Sequence, residues 1–452
     1  MKIRRLTAIL TIAILTLCQL GLATPLDDYV RAPDDSYRYS LAKKIDGSGY
    51  TGYVLELTSQ TWRNEGEVNR TLWQHWLTIV KPDNATGDIA LLLITGGRNG
   101  GDPPDSVERT LQMVALRSNS VVAHIRQVPN QPLVFPEDGK PRSEDEIISY
   151  TFAKYVQTGD ATWPLLLPMV KSAVRAMDTI QSYMRQISDG ELAINEFVVA
   201  GGSKRGWTTW LTGAADARVV AIMPIVIDVL NMDEQMRHHF AAYGFYSSAI
   251  HDYQDMNIFE RLDTPEGQAL ISFVDPYEYR DRLTLPKYML NSTGDQFFLP
   301  DSAQFYFHDL HGEKYLRYIP NTDHSLNRSD APESLLVFYQ SVLKDAERPK
   351  FSWEVTNDNI VVTTIKGEPE EVNLWQATNP EARDFRLQTI GREWESSPLE
   401  PKREGVYVAS VCEPEKGWTA FFVEMVYNTG TPIPYKFTTE VHVVPDKLPF
   451  AK

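Results

Sequence analysis

Phe197-Val198-Val199-Ala200-Gly201-Gly202-Ser203-Lys204-Arg205-Gly206-Trp207 is the stretch that decides how this chain is read. Its apolar opening reads as a strand buried on both faces. Two glycines then lead into a serine, and the residues after Lys204 are compatible with a helix. In that setting a strained strand-to-helix turn lifts the serine hydroxyl clear of the head of a sheet. Glycine suits the flanks because strand and helix backbones approach there too closely for a Cβ. The spacing departs from Gly-x-Ser-x-Gly, since Arg205 stands two places after the serine and Gly206 three. Alone, the stretch also fits a structural Gly-Ser turn.

Residues further along supply the missing partners. A serine nucleophile needs a general base, and the base needs a carboxylate to fix its tautomer. Tyr288 to Ser292 reads as a strand ending in Thr293-Gly294-Asp295. Leu316 to Ile319 reads as the next, running into Pro320-Asn321-Thr322-Asp323-His324. Serine, acid and histidine thus fall in that order, each just past the carboxyl end of a predicted strand. Ser203, Asp295 and His324 are the expected triad. Asp323 and Asp301 are rival acids. Adjacent residues rarely orient one another's rings, which counts against Asp323, and Asp301 reads as a helix cap.

Ile89 to Ile94 is another buried strand, followed by Gly96-Gly97-Arg98-Asn99-Gly100-Gly101. The backbone amides of Gly97, Arg98 and Asn99, with that of Lys204, are the expected oxyanion donors. The loop lacks the Lys-Ser/Thr ending of a phosphate-binding loop and the spacing of a dinucleotide fingerprint. The Lys204 ammonium is expected to be solvated. His308 and His311 have helical spacing, but no Cys cluster or His-Glu-x-x-His motif accompanies them, so no metal and no cofactor is expected.

The rest of the chain organises around these points. Further strands are expected at Tyr50 to Leu57, Leu72 to Val80, Ser120 to Val128 and Val219 to Ile227. Helices are expected at Val107 to Leu116, from the Ser143-Glu144-Asp145-Glu146 capping box to Tyr155, and from Pro164 to Met184. Strands alternating with helices predict an α/β fold with a doubly wound, mainly parallel sheet over residues 24–348. An insertion at about 231–285 is expected to form a helical cap. Asn130 and Gln131 in the proline-rich loop, with Tyr243 and Phe245 in the cap, are the expected substrate contacts. Residues 349–452 alternate β-branched and aromatic residues with turn clusters, predicting an all-β, sandwich-like module.

At 452 residues, with 44 Lys and Arg against 60 Asp and Glu, the chain is long enough for more than one domain and carries a formal charge of −16. That charge argues against nucleic acid, whose binding rests on neutralising phosphates. Residues 1–23 combine a basic start, the apolar run Leu6 to Leu17, and Gly21-Leu22-Ala23 as a cleavage site. They read as a secretory signal peptide too short to span a bilayer. Its loss removes Cys18, leaving Cys412 without a disulfide partner. A secreted or periplasmic protein with no stable membrane insertion is expected.

Several of these stretches resemble the PhoPQ-activated pathogenicity-related proteins. They are Gly201 to Gly206, Gln127-Val128-Pro129-Asn130-Gln131-Pro132, Leu374-Trp375-Gln376-Ala377-Thr378-Asn379-Pro380 and Arg383-Asp384-Phe385-Arg386. The resemblance covers essentially the whole chain after the leader and implies a secreted α/β-hydrolase fold. Ser203, Lys204 and Gly206 are also similar to the corresponding stretch of glucuronoyl esterases. The reading is a serine hydrolase acting on a small-molecule or peptide substrate, with a cationic peptide favoured by the acidic surface. A carbohydrate esterase, or a catalytically silent binding or signalling protein on the same scaffold, are the alternatives. Oligomeric state is left open.

Overall fold

The protein is described by a computed structural model covering residues 23–356 and 358–451. Apart from Ala23, the expected leader lies outside the described residues. Among them no helix is long and apolar enough to cross a membrane.

The first nine long strands are β1 (Arg38–Gly47), β2 (Tyr50–Thr61), β3 (Leu72–Pro82), β4 (Ile89–Ile94), β5 (Val122–Ile125), β6 (Glu196–Gly202), β7 (Val219–Ile225), β8 (Lys287–Ser292) and β9 (Lys314–Ile319). They hydrogen-bond in the order β1-β2-β3-β5-β4-β6-β7-β8-β9, and the last six in that order are parallel. β4 has β5 on one side and β6 on the other, so the winding reverses between β4 and β6. Ligands of open α/β sheets bind at such a reversal, beyond the carboxyl ends of the strands. The glycine loop leaves β4 and Ser203 leaves β6 at this place.

Residues Ala90, Leu92, Ile94, Val198 and Val199 of these two strands are buried, as the apolar runs require. Helices Arg109–Ser118 and Ala331–Leu343 pack together on one face. Helices Leu166–Ile187 and Lys204–Ala215 pack together on the other. The insertion between β7 and β8 is helical, built from Met232–Tyr243, His251–Asp255, Pro265–Val274 and three short 3₁₀ turns, as expected of a cap. Asn291, which begins one of four glycosylation sequons, is buried within β8.

The C-terminal module adds β10 (Lys350–Thr356), β11 (Asn359–Lys366), β12 (Glu371–Asn379), β13 (Glu395–Pro398), β14 (Pro401–Arg403), β15 (Val406–Ser410), β16 (Trp418–Tyr427), β17 (Tyr435–Thr438) and β18 (His442–Val444). It is strand-rich and two-layered. One layer is the four-stranded sheet β10-β11-β15-β14. The other is continuous with the main sheet, because β17 pairs antiparallel with β9 and carries β16, β12 and β13 beyond it. Phe351 stacks on Tyr427 and packs against Phe437 between the layers. The change of texture at Pro349 therefore marks no gap in the hydrogen-bonded framework.

One helix start differs from expectation. The helix Asp145–Thr158 opens with Glu144 in the capping position at φ 57°, ψ −129°, without a side-chain cap. The box fails because both glutamates are engaged elsewhere: Glu144 with Lys204 and Arg205, Glu146 with Lys140.

Candidate active site

β6 ends at Gly202, and the helix begins at Lys204. Ser203 between them sits at φ 57°, ψ −130°, a backbone conformation that few side-chain-bearing residues adopt. Its N–H donates to the Ile225 carbonyl at 2.8 Å, which fastens the turn to β7. A Cβ on Gly201 would lie 2.6 Å from the Arg205 carbonyl oxygen. One on Gly206 would lie 3.0 Å from both the Gly201 and Ile225 carbonyl oxygens. The irregular spacing thus has a structural reason. The helix crosses the strand ends so that Gly206, and not the position of Arg205, is the one with no room for a side chain.

Asp295 and His324 come together at the heads of β8 and β9. His324 Nδ1 is 2.9 and 3.0 Å from the two carboxylate oxygens of Asp295. The histidine's Nε2 is buried and has no hydrogen-bond partner among the described residues. Its ring packs, tilted by 37° and with centroids 4.2 Å apart, against Phe297, a residue that lines the same cavity as Ser203. The Gln296 side-chain oxygen accepts the His324 N–H at 3.0 Å, tying the acid loop to the base loop. An imidazole oriented by a carboxylate and leaving one bare nitrogen is equipped to accept a proton.

The rival acids are occupied elsewhere. Asp323 accepts the Ser325 N–H at 3.0 Å in a local turn. Asp301 does not cap a helix. It is a buried hub that pairs with His238 at 2.9 Å and with Arg383 at 2.6 Å.

Lys204 is not solvated. Its side chain is only 7% exposed and pairs with Glu144 at 2.8 Å and Asp145 at 3.0 Å. Arg205 grips Glu144 through both terminal nitrogens, at 2.7 and 2.8 Å, and donates its Nε–H to the Val128 carbonyl at 2.5 Å. Burial would raise the Glu144 carboxyl, but the two cations outweigh it and hold the group down at about 2.

Gln131 extends this network. Its amide nitrogen donates to Glu144 at 2.5 Å and to the Gly97 carbonyl at 3.1 Å, and its amide oxygen accepts the Glu144 N–H at 2.8 Å. The Asn99 N–H donates to the Gln131 carbonyl at 2.6 Å, so Asn99 drops out of the expected oxyanion donors. The loop itself lies against Arg205: a Cβ on Gly96 would come within 2.3 Å of that guanidinium.

A cavity of about 50 Å³ opens beside Ser203. Trp207, Ile227, Val229, Met232, Met236, Ile250, Tyr253, Ile258, Phe259, Phe297 and Phe298 form its walls, and Lys204 and Asp145 close one side. The four expected substrate contacts lie elsewhere. Asn130 is buried and donates to the Leu72 carbonyl at 3.2 Å, and Gln131 is consumed by the network above. Tyr243 packs with Leu299 in a separate small core, and Phe245 stacks on Tyr243 with the Arg386 guanidinium over both rings. Tyr253 and Phe259 are the cap aromatics that reach the cavity. Tyr253 also donates its hydroxyl to Asp145 at 2.9 Å, joining cap to body. Nothing in the spacing of the cap aromatics distinguishes these two from Tyr243 and Phe245. Glu144 and Asp145 were legible only as the start of a helix.

The C-terminal module touches both triad loops. The Leu387 N–H donates to the Gly294 carbonyl at 3.0 Å, next to Asp295. Asn321, in the loop that carries His324, exchanges two hydrogen bonds with the Trp394 backbone, at 2.8 and 3.1 Å. With Arg383 on Asp301, the segment from Arg383 to Trp394 clamps the acid and base loops.

Among the described residues no group of three or more His, Cys, Asp or Glu side chains is placed to hold a metal ion. His308 and His311 instead face Glu440 and Asp281.

Comparison with known proteins places this architecture. The sequence model of a family described as PhoPQ-activated pathogenicity-related protein matches residues 26–386. Autocrine proliferation repressor protein A of Dictyostelium discoideum is 38% identical over 474 aligned positions, which cover 98% of this chain and 95% of that protein. Among solved structures, the acetyl xylan esterase from Paenibacillus sp. R4 is similar with a TM-score of 0.50 at 14% identity, over 70% of this chain and 92% of that one. Acetyl xylan esterase 1 from a Thermoanaerobacterium species gives 0.47 at 16% identity, over 70% and 93%. At such identities the likeness to the first is one of fold, that of the α/β-hydrolases.

Proposed function

The chain belongs to the PhoPQ-activated pathogenicity-related protein family, and on that footing we propose that it is an exported serine hydrolase working through an acyl-enzyme. The observation that carries this reading is the Asp295–His324 pair, with its bare Nε2, packed on Phe297, which lines the same cavity as the strained Ser203 turn. His324 takes the Ser203 proton as Oγ attacks an acyl carbon, and Asp295 holds the imidazole and stabilises the cation that forms. The amides of Lys204, Gly97 and Arg98 hold the developing oxyanion. His324 returns the proton to the leaving group, then activates the water that releases the acyl chain.

An amide or peptide is the favoured substrate over a carbohydrate ester, and the formal charge of −16 suits a cationic peptide. Export rests on the leader pattern of residues 1–23.

The name of the Dictyostelium relative supports a second reading, an autocrine signal carried on the same scaffold. Fluorophosphonate labelling of the purified mature protein separates the two. A hydrolase is labelled, and both Ser203→Ala and His324→Ala abolish labelling. A folded wild-type protein that takes up no label sinks the enzyme reading. A biological activity that survives Ser203→Ala assigns that activity to the signal.

A further inference from the structure

We propose that the acyl side of the substrate is a compact, uncharged, apolar group, held in the cavity beside Ser203; this deepens the hydrolase reading and rests on it. Size is the first argument. A cavity of about 50 Å³, roughly a third of the volume that accommodates benzene, has room for only a few heavy atoms. That is a short alkyl chain, or the side chain of alanine, valine or proline.

Chemistry is the second argument. The walls are aliphatic, aromatic and thioether groups. The charged groups on the closing side already satisfy one another. Lys204 is shared between Glu144 and Asp145, and Asp145 also receives the Tyr253 hydroxyl. A hydroxylated or carboxylated acyl group would give up its water there and find no free partner, a loss that buried polar groups do not recover. The cavity therefore rejects a uronic acid as acyl group, for lack both of room and of hydrogen-bonding partners. Met236, Ile250 and Ile258 line the cavity from the cap.

The test uses p-nitrophenyl alkylphosphonates of increasing chain length, because they report on Ser203 whether the natural bond is an ester or an amide. Ser203 Oγ bonds to phosphorus, p-nitrophenolate leaves, and the serine proton passes to His324. Release rates are expected to rise from methyl to propyl or butyl and to fall at least tenfold by octyl, since one methylene in a fitted pocket is worth about tenfold or more. A chain of butyl length ending in a carboxylate should react at least 100-fold more slowly than butyl itself. Met236→Ala should move the optimum to longer chains, and Ile258→Ala serves if that variant does not fold.

Rates indifferent to length, highest at octyl, or unaffected by the carboxylate overturn the inference and leave the serine hydrolase standing. No release from any member of the series by folded protein overturns both.

Discussion

Gly206 carries more of the site than its distance from the serine suggests. It lets the helix pass within contact of the Gly201 and Ile225 carbonyls, and that crossing holds Ser203 at positive φ. Gly206→Ala would push Cβ into those two carbonyl oxygens and the Ile227 methyl, at 3.0, 3.0 and 2.7 Å. The expected cost is about 1–3 kcal/mol of stability, as for other overpacked sites. A lowered midpoint in thermal unfolding, together with loss of fluorophosphonate labelling, would register it. Unchanged labelling would mean that the turn survives the wider crossing. Asp295→Asn should leave the fold intact and slow turnover by about 10⁴-fold, because the imidazole loses the carboxylate that fixes its tautomer. A labelling rate within tenfold of wild type would remove Asp295 from the triad.

The elements show why one half of the site was legible and the other was not. Ser203, Asp295 and His324 each follow an apolar run that can only be a buried strand, and α/β topology sends such strand ends to one edge. The walls of the cavity carry no comparable signal. Tyr253 lines it and Tyr243 does not, yet both are cap tyrosines, and only the cap's fold decides which faces in. The helix Asp145–Thr158 misleads for another reason. Glu144 looks like part of a capping box but is drawn across to Lys204 and Arg205, partners 60 residues or so along the chain, and long-range ion pairs leave no local pattern.

The same network predicts a pH dependence. Glu144 is held at about 2 in the folded protein, below its ordinary 4.5, so its contribution to stability is complete above 4.5 and is lost as pH falls towards 2. Glu144→Gln should therefore lower the thermal midpoint most near neutrality, with the gap to wild type closing on acidification. A gap of constant size between pH 7 and 3 would show that the pairing does not hold the carboxylate down.

At the scale of the whole molecule, the clamp from Arg383 to Trp394 ties the C-terminal module to the loops of the candidate site. Arg383→Met should cut the rate of Ser203 labelling, by about 100-fold if Asp295 moves by 1 Å. It should also shift the pH midpoint of labelling, which depends on how the carboxylate meets the imidazole. Arg383→Lys should restore part of the rate. A fall in thermal stability with rate and pH midpoint unchanged would reduce the clamp to scaffolding. The expectation of a module beginning near residue 349 captured its strands but not its attachment. Alternating apolar residues announce a strand without naming its neighbour. That attachment also bears on the order in which the protein is made. β17, at Tyr435–Thr438, lies between β9 and β16, so strands synthesised earlier, such as β12, cannot join the main sheet until β17 has been made. A ribosome has to deliver residues 435–438 before that sheet can carry its outer strands and the loops bearing Asp295 and His324 are gripped.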